Sequence, residues 1–126
     1  MKIKIKTFLQ VKKQLDKVFS EYIRKRDDGK PCISCGKMVP LQCGHYFSRN
    51  HFAIRWNEMN AAGQCARCNA FLQGNAQGFR EGLILRYGEE AVKRLEMIAK
   101  VSVKHSASDL SWMIEHYKQK IKELEK

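Results

Sequence analysis

Apolar residues recur at helical spacing through residues 7–26: Phe8, Val11, Leu15, Val18, Phe19, Tyr22 and Ile23. This i, i+3, i+4 pattern predicts an amphipathic helix. Lys12, Lys13, Lys17, Arg24 and Lys25 fall largely off the stripe. Asp27-Asp28-Gly29 predicts the stop, with Gly29 as a left-handed terminator and Pro31 just beyond. The pattern then changes. The stretch MVPLQCGHYF mixes apolar and polar residues in strand-like fashion, and Pro40 argues against a central strand. A short edge hairpin is expected within residues 30–53, with a bend or bulge at Gly44 just before His45. Helical patterning returns after Cys68, interrupted at Gly74-Asn75. Phe79, Leu83, Ile84 and Tyr87 form one apolar face, stopped by Gly88, and residues 89–100 form the next. Ser106 or Ser108 would cap a last helix, with Asp109 in its first turn and a stripe of Leu110, Met113, Ile114, Tyr117, Ile121 and Leu124. Such stripes are core-forming faces.

These elements predict an α+β fold, mostly helical, in a single domain over residues 1–126. A basic N-terminal helix occupies 1–29, a metal-stapled unit 30–75 and a helical part 76–126. Neither an internal repeat nor a low-complexity segment is present. At 126 residues and 44% hydrophobic, the chain can bury a modest core. No run of 18 apolar residues occurs, which argues against a membrane-spanning helix. Lysines break up the apolar residues of MKIKIKTFLQVKK, so no signal-peptide apolar region is seen and the cytoplasm is the default compartment.

Charge narrows the function. Twenty-four Lys and Arg against 13 Asp and Glu give +11, which points to a polyanion, most often nucleic acid. Residues 1–26 carry much of the excess. The lysines of residues 2–25 are therefore the expected DNA-backbone contacts.

The cysteines narrow it further. Four of the five form two CxxC pairs, Cys32/Cys35 and Cys65/Cys68. In a reducing compartment two separated knuckles match a closed tetrahedral thiolate site, and zinc is the natural metal. A unit of about 40 residues buries too little surface to hold itself together, so such a staple substitutes for missing core. Cys43 is left over and reads as a small buried apolar residue.

Between the knuckles lie Gly44-His45 and Asn60, and Asn69 follows Cys68 directly. A His on a strand, an Asn in the connection and an Asn opening a helix resembles the ββα-metal (HNH) nuclease motif, with the zinc knuckles bracketing it. Phosphodiester hydrolysis needs a base for water, a divalent cation on the phosphate, and something to hold the base. The resemblance assigns His45 as general base, Asn60 as the clamp on the catalytic loop and Asn69 as a ligand of a catalytic Mg²⁺ or Mn²⁺. The motif usually has Asp or His before the base, where this chain has Gly44. His51 and Glu58 are candidates for a second ligand. Alternatively His45 is itself a ligand and His51 the base.

A longer string carries a more specific likeness. GHYFSRN, IRWNEMNAAGQCARCNAFLQGN and FREGLILRYGEEAVKRLE together resemble the NinG (Rap) family of lambdoid phages, over roughly residues 7–120. Gly before His is this family's own form. The resemblance implies a structure-specific endonuclease acting on branched recombination intermediates, Holliday junctions and D-loops, in the infected bacterial cell. Arg49 and Arg55 flank the expected site and are candidate phosphate contacts with Lys12, Lys13, Lys17, Arg24 and Lys25. Asn75 and Arg80 lie in the same string, with helix capping and phosphate contact as their expected roles. His105 and His116 are expected at the surface. A homodimer would place two sites across a junction. The competing reading is a non-catalytic zinc-binding module that grips DNA.

Overall fold

A computed structural model describes residues 6–126; the lysines at positions 2 and 4 lie outside that range. Helix α1 spans Phe8–Arg26. Thr7 opens it by accepting from the Gln10 backbone N–H, while the Gln10 side chain accepts from the Thr7 N–H. Its apolar stripe, Val11, Leu15, Val18, Phe19, Tyr22 and Ile23, is buried. Asp27 closes it and Gly29 adopts the left-handed φ of +82°.

Strands β1, Leu41–His45, and β2, Ala61–Cys65, form a two-stranded antiparallel sheet. The partner of β1 therefore lies beyond the expected hairpin region, across the long connection 46–60. The sequence pattern misses β2 because Ala61-Ala62-Gly63-Gln64-Cys65 does not alternate. All five residues are buried, since helices cover both faces of the sheet. Nor does Gly44 form a bulge: it pairs in register with Ala62. Glycine is required there for another reason, because a Cβ would stand 2.1 Å from the Gln64 Oε1.

A short π-helical segment, Arg67–Phe71, follows β2. Helices α2, Ala76–Tyr87, α3, Glu89–Ile98, and α4, Ala107–Leu124, complete the chain. Asn75 caps α2 by accepting from the Gly78 N–H at 3.3 Å. Ser106, not Ser108, caps α4 in a reciprocal pair with Asp109. Among the described residues no helix is long and apolar enough to cross a membrane.

The sheet separates two apolar clusters. On one side α1 packs on α4, with Leu15, Phe19, Ile23, Leu110 and Tyr117 at the centre, and Ala61 facing them. On the other, α2 and α3 bury Phe79, Leu83, Val92 and Leu95 against Ala62, Ile33 and Ile54. Adjacent alanines of β2 thus serve opposite clusters, as strand alternation demands. Helix α2 crosses the first knuckle at Gly78 and Gly82, where added Cβ atoms would stand 2.3 and 2.0 Å from the carbonyl oxygens of Ser34 and Ile33.

Candidate functional site

The two knuckles converge at one end of the sheet, where Leu41 pairs with Cys65. The sulfurs of Cys32, Cys35, Cys65 and Cys68 all lie within 4.8 Å of one another. Cys35 and Cys65 Sγ are 3.7 Å apart. A tetrahedron with metal–sulfur bonds of about 2.3 Å has edges of about 3.8 Å, so the donors suit zinc. Surrounding N–H groups stabilise the thiolates. The Cys65 backbone donates to Cys32 Sγ at 3.2 Å, the Cys68 backbone to Cys65 Sγ at 3.4 Å, and Asn75 Nδ2 to Cys68 Sγ at 3.5 Å. Burial raises the Cys32 pKa, but N–H donation from Cys65, Cys35 and Ser34 outweighs it and brings the thiol down to about 7. The four cysteines can hold a structural zinc ion with no position left open for water. Cys43 stays outside this group and packs against the α1–α4 cluster, where burial pushes its thiol up to about 11.

His45 sits at the opposite end of the sheet, paired with Ala61. Its ring lies 6.0 Å from that of Phe19 on α1. Burial, then the positive charge of Arg49, lowers its pKa to about 4, against the opposing pull of Asp16. At neutral pH the imidazole is therefore uncharged. The loop that follows is held by Asn60, which is fully buried. Its Oδ1 accepts from the Phe47 N–H at 2.9 Å, and its Nδ2 donates to the Phe47 carbonyl at 3.1 Å. The Asn60 carbonyl accepts from the Tyr46 N–H at 2.8 Å. Asn60 thus binds both backbone polar groups of Phe47 in the turn leaving β1.

The other expected participants lie apart from His45. Asn69 donates to Gln42 Oε1 at 2.9 Å. Gln42 is three residues from His45, about 10 Å along the strand, and alternation puts it on the opposite face. His51 directs Nδ1 at the Ala99 carbonyl, 3.4 Å away. Glu58 accepts from Tyr22 and Lys120. The expected second-ligand candidates are thus engaged elsewhere, and Gly44 supplies no donor. Among the described residues the four cysteines form the one cluster of three or more His, Cys, Asp or Glu ligands. Asn69, His51 and Glu58 each have a hydrogen-bond partner other than His45.

The basic residues divide into free and committed. Arg49, Lys13, Lys17 and Arg24 are exposed, and Lys12 lies half-buried over the Phe52 ring. A shallow cleft of about 770 Å³ runs along α1 between Lys6, Lys13 and Lys17. Lys25 pairs with Glu125 at 3.1 Å. Arg80 is taken by Glu96, whose carboxylate also accepts from Tyr46. Arg55 is buried: it binds the Asp16 carboxylate with two nitrogens and donates to the Arg49 carbonyl. Its guanidinium fastens the 46–60 loop to α1 and is not presented to solvent. His105 is not free at the surface either, since its Nε2 lies 3.1 Å from the Phe52 carbonyl. His116 stacks on the exposed Trp112 ring.

Three supporting residues escaped the sequence reading. Asp16 was readable as one of only two acidic residues among residues 1–26, an odd charge in a basic helix. Asp27 is fully buried and binds the Gly63 N–H at 2.7 Å together with Arg26 and Arg86. Burial opposes its ionisation, but these donors and charges hold its pKa well below the usual carboxylate range. Gln64 joins the sheet to the knuckles, donating to Ser34 Oγ at 2.9 Å and to the Gly74 carbonyl at 2.6 Å. Nothing local marks Gln64, whose partners are remote in sequence, and the helix stop at Asp27 does not reveal its remote partners Gly63 and Arg86.

Comparison with known proteins agrees with the string of motifs. The family model described as Bacteriophage Lambda NinG protein matches residues 1–126. Protein ninG of Escherichia phage lambda is 36% identical over 122 residues, covering 89% of this chain and 56% of that protein. Protein ninG of Salmonella phage P22 is 34% identical over 115 residues with the same coverage. That of Escherichia phage 933W is 39% identical over 87 residues, covering 67% of this chain and 43% of its own. The chain spans about half the length of these relatives. No solved structure matches it. With its whole described length matched by the family model, the chain belongs to the NinG family.

Proposed function

We propose that this chain is an endonuclease of the HNH type that hydrolyses phosphodiester bonds in branched DNA, such as Holliday junctions and D-loops. One observation carries the reading: a neutral, largely buried histidine ends a strand beside a loop locked by Asn60 and faced by Arg49. A neutral imidazole can accept a proton from water, and an unoriented one does so poorly. In this reading His45 takes the proton as the water oxygen bonds to phosphorus. The bond from phosphorus to the 3′ oxygen breaks, leaving a 5′-phosphate and a 3′ oxyanion that takes a proton from solvent to become the 3′-hydroxyl. Arg49, Lys12, Lys13, Lys17 and Arg24 bind flanking phosphates, so affinity falls steeply with salt. Two copies would place two sites across one junction, and action in the bacterial host cell follows from the phage relatives.

The second reading is a zinc-stapled DNA-binding module without catalysis. The pairing of Asn69 with Gln42, at the end of β1 away from His45, favours it. A cleavage assay decides between them. Zinc-loaded protein is mixed with a labelled four-way junction, a D-loop and linear duplex, in Mg²⁺, Mn²⁺ or EDTA. Cation-dependent cutting of branched DNA that His45→Ala loses, with zinc and fold retained, supports the endonuclease. Binding without cutting under every condition overturns it in favour of the module.

A further inference from the structure

The segment just after the second knuckle presents apolar side chains to water. Phe71 is 82% exposed and Leu72 45%. Across a cleft of about 470 Å³ floored by Cys35 and Cys68, Leu72 faces Val39 and Pro40. Val39 and Pro40 also line a second cleft, of about 350 Å³, together with Met38. Leu72, Val39, Pro40 and Met38 thus line adjoining clefts at the metal-binding end of the molecule, and Phe71 stands exposed next to Leu72 in the chain. An exposed apolar lining of this kind on a small domain marks a contact surface.

Its rim identifies the occupant. Lys37 and Arg67 border the first cleft, and Arg24 and Lys30 the second. Asp28 is the one carboxylate in the two linings. Lys37 and Arg67 are exposed and form no ion pair among the described residues. Apolar faces flanked by phosphates complement an apolar tip flanked by cations. A branch point in DNA exposes such base faces, whereas continuous duplex hides them in the stack. Proteins that open base steps do so with Phe, Leu, Met or Pro side chains. Such a tip must be rigid, and Cys35, Cys65 and Cys68 line the cleft that Leu72 borders.

We infer that exposed Phe71, beside Leu72 at the edge of the basic-rimmed cleft, is a wedge that stacks on unpaired or unstacked bases at a DNA branch. This rests on the DNA-binding reading above and gives it a structural basis for branch preference.

The test uses a four-way junction carrying 2-aminopurine at the branch, and a linear duplex of equal length. Zinc-loaded wild type should raise 2-aminopurine fluorescence on the junction as the base unstacks. Phe71→Ala should abolish the rise and weaken junction binding about tenfold, while duplex binding stays unchanged. Zinc content and circular dichroism confirm that this exposed substitution leaves the fold intact. Arg67→Ala should weaken both DNAs alike, as a phosphate contact does. A Phe71→Ala variant that keeps its fluorescence response and junction preference overturns the wedge and leaves DNA binding standing. Wild type that binds neither DNA overturns both.

Discussion

Asp16 on α1 grips Arg55 with both carboxylate oxygens, at 3.1 and 2.6 Å, and accepts from Trp56 Nε1 at 2.9 Å. Two consecutive loop residues are thereby tied to one helical carboxylate. The Arg55 side chain is 9% exposed, and the guanidinium also lies 5.3 Å from the Phe52 ring. Removing one partner of a largely buried pair strands the other charge. Asp16→Ala should therefore destabilise the protein by about 3 kcal/mol. It should also loosen the 46–60 loop that follows His45. Urea unfolding reads the first effect and amide hydrogen exchange the second. A loss below about 0.5 kcal/mol, the range of ordinary surface changes, would show the pair to be dispensable.

Metal removal should unfold the knuckle end of the molecule. Besides the two apolar clusters, Cys32, Cys65 and Cys68 form a small buried group with Leu41 packed against it. Without a cation these sulfurs supply little core, so zinc binding and folding are coupled. A strong chelator should lower Tm sharply, with one zinc and four reactive thiols released together. Cys65→Ser should do the same without chelator. Unchanged melting in the metal-free protein would count against a structural role.

Gly82→Ala offers a sign test. In an open helix this change gains about 1 kcal/mol of propensity. Here the added methyl group would stand 2.0 Å from the Ile33 carbonyl oxygen, and backbone cannot rotate aside. Overpacking of this kind costs about 1 to 3 kcal/mol, so the net change should be destabilising. Gly82→Ala with raised Tm would mean that α2 lies farther from the knuckle than described.

His45 should remain neutral from pH 8 down to about pH 5. Its folded pKa of about 4 lies below the unfolded value of about 6.5. Between those values the unfolded chain binds more protons, so stability is present above pH 6.5 and is lost as pH falls toward 4. Between pH 7 and pH 5 wild type should lose about 2 kcal/mol more than His45→Gln. NMR of the imidazole carbon-bound protons should show a flat shift over the same range. A midpoint near 6.5 would place the ring in solvent and weaken its case as an oriented base.

Much of this was legible in the chain itself. The stripe from Val11 to Ile23, the cap at Ser106 and the stop at Gly29 depend on neighbours within one or two turns, and local sequence encodes them. The CxxC spacing likewise brings each thiolate pair together within a single knuckle. The tertiary structure decided what depends on remote partners. It paired β1 with the buried, non-alternating β2, because helices from both halves cover the sheet. It made Gly44 a space for Gln64 instead of a bulge. It turned Arg55 inward to Asp16, and it joined Asn69 to Gln42, three residues along β1 from His45. Short-range patterning cannot carry such relationships, because each is set by which surfaces meet when the two apolar clusters close on the sheet.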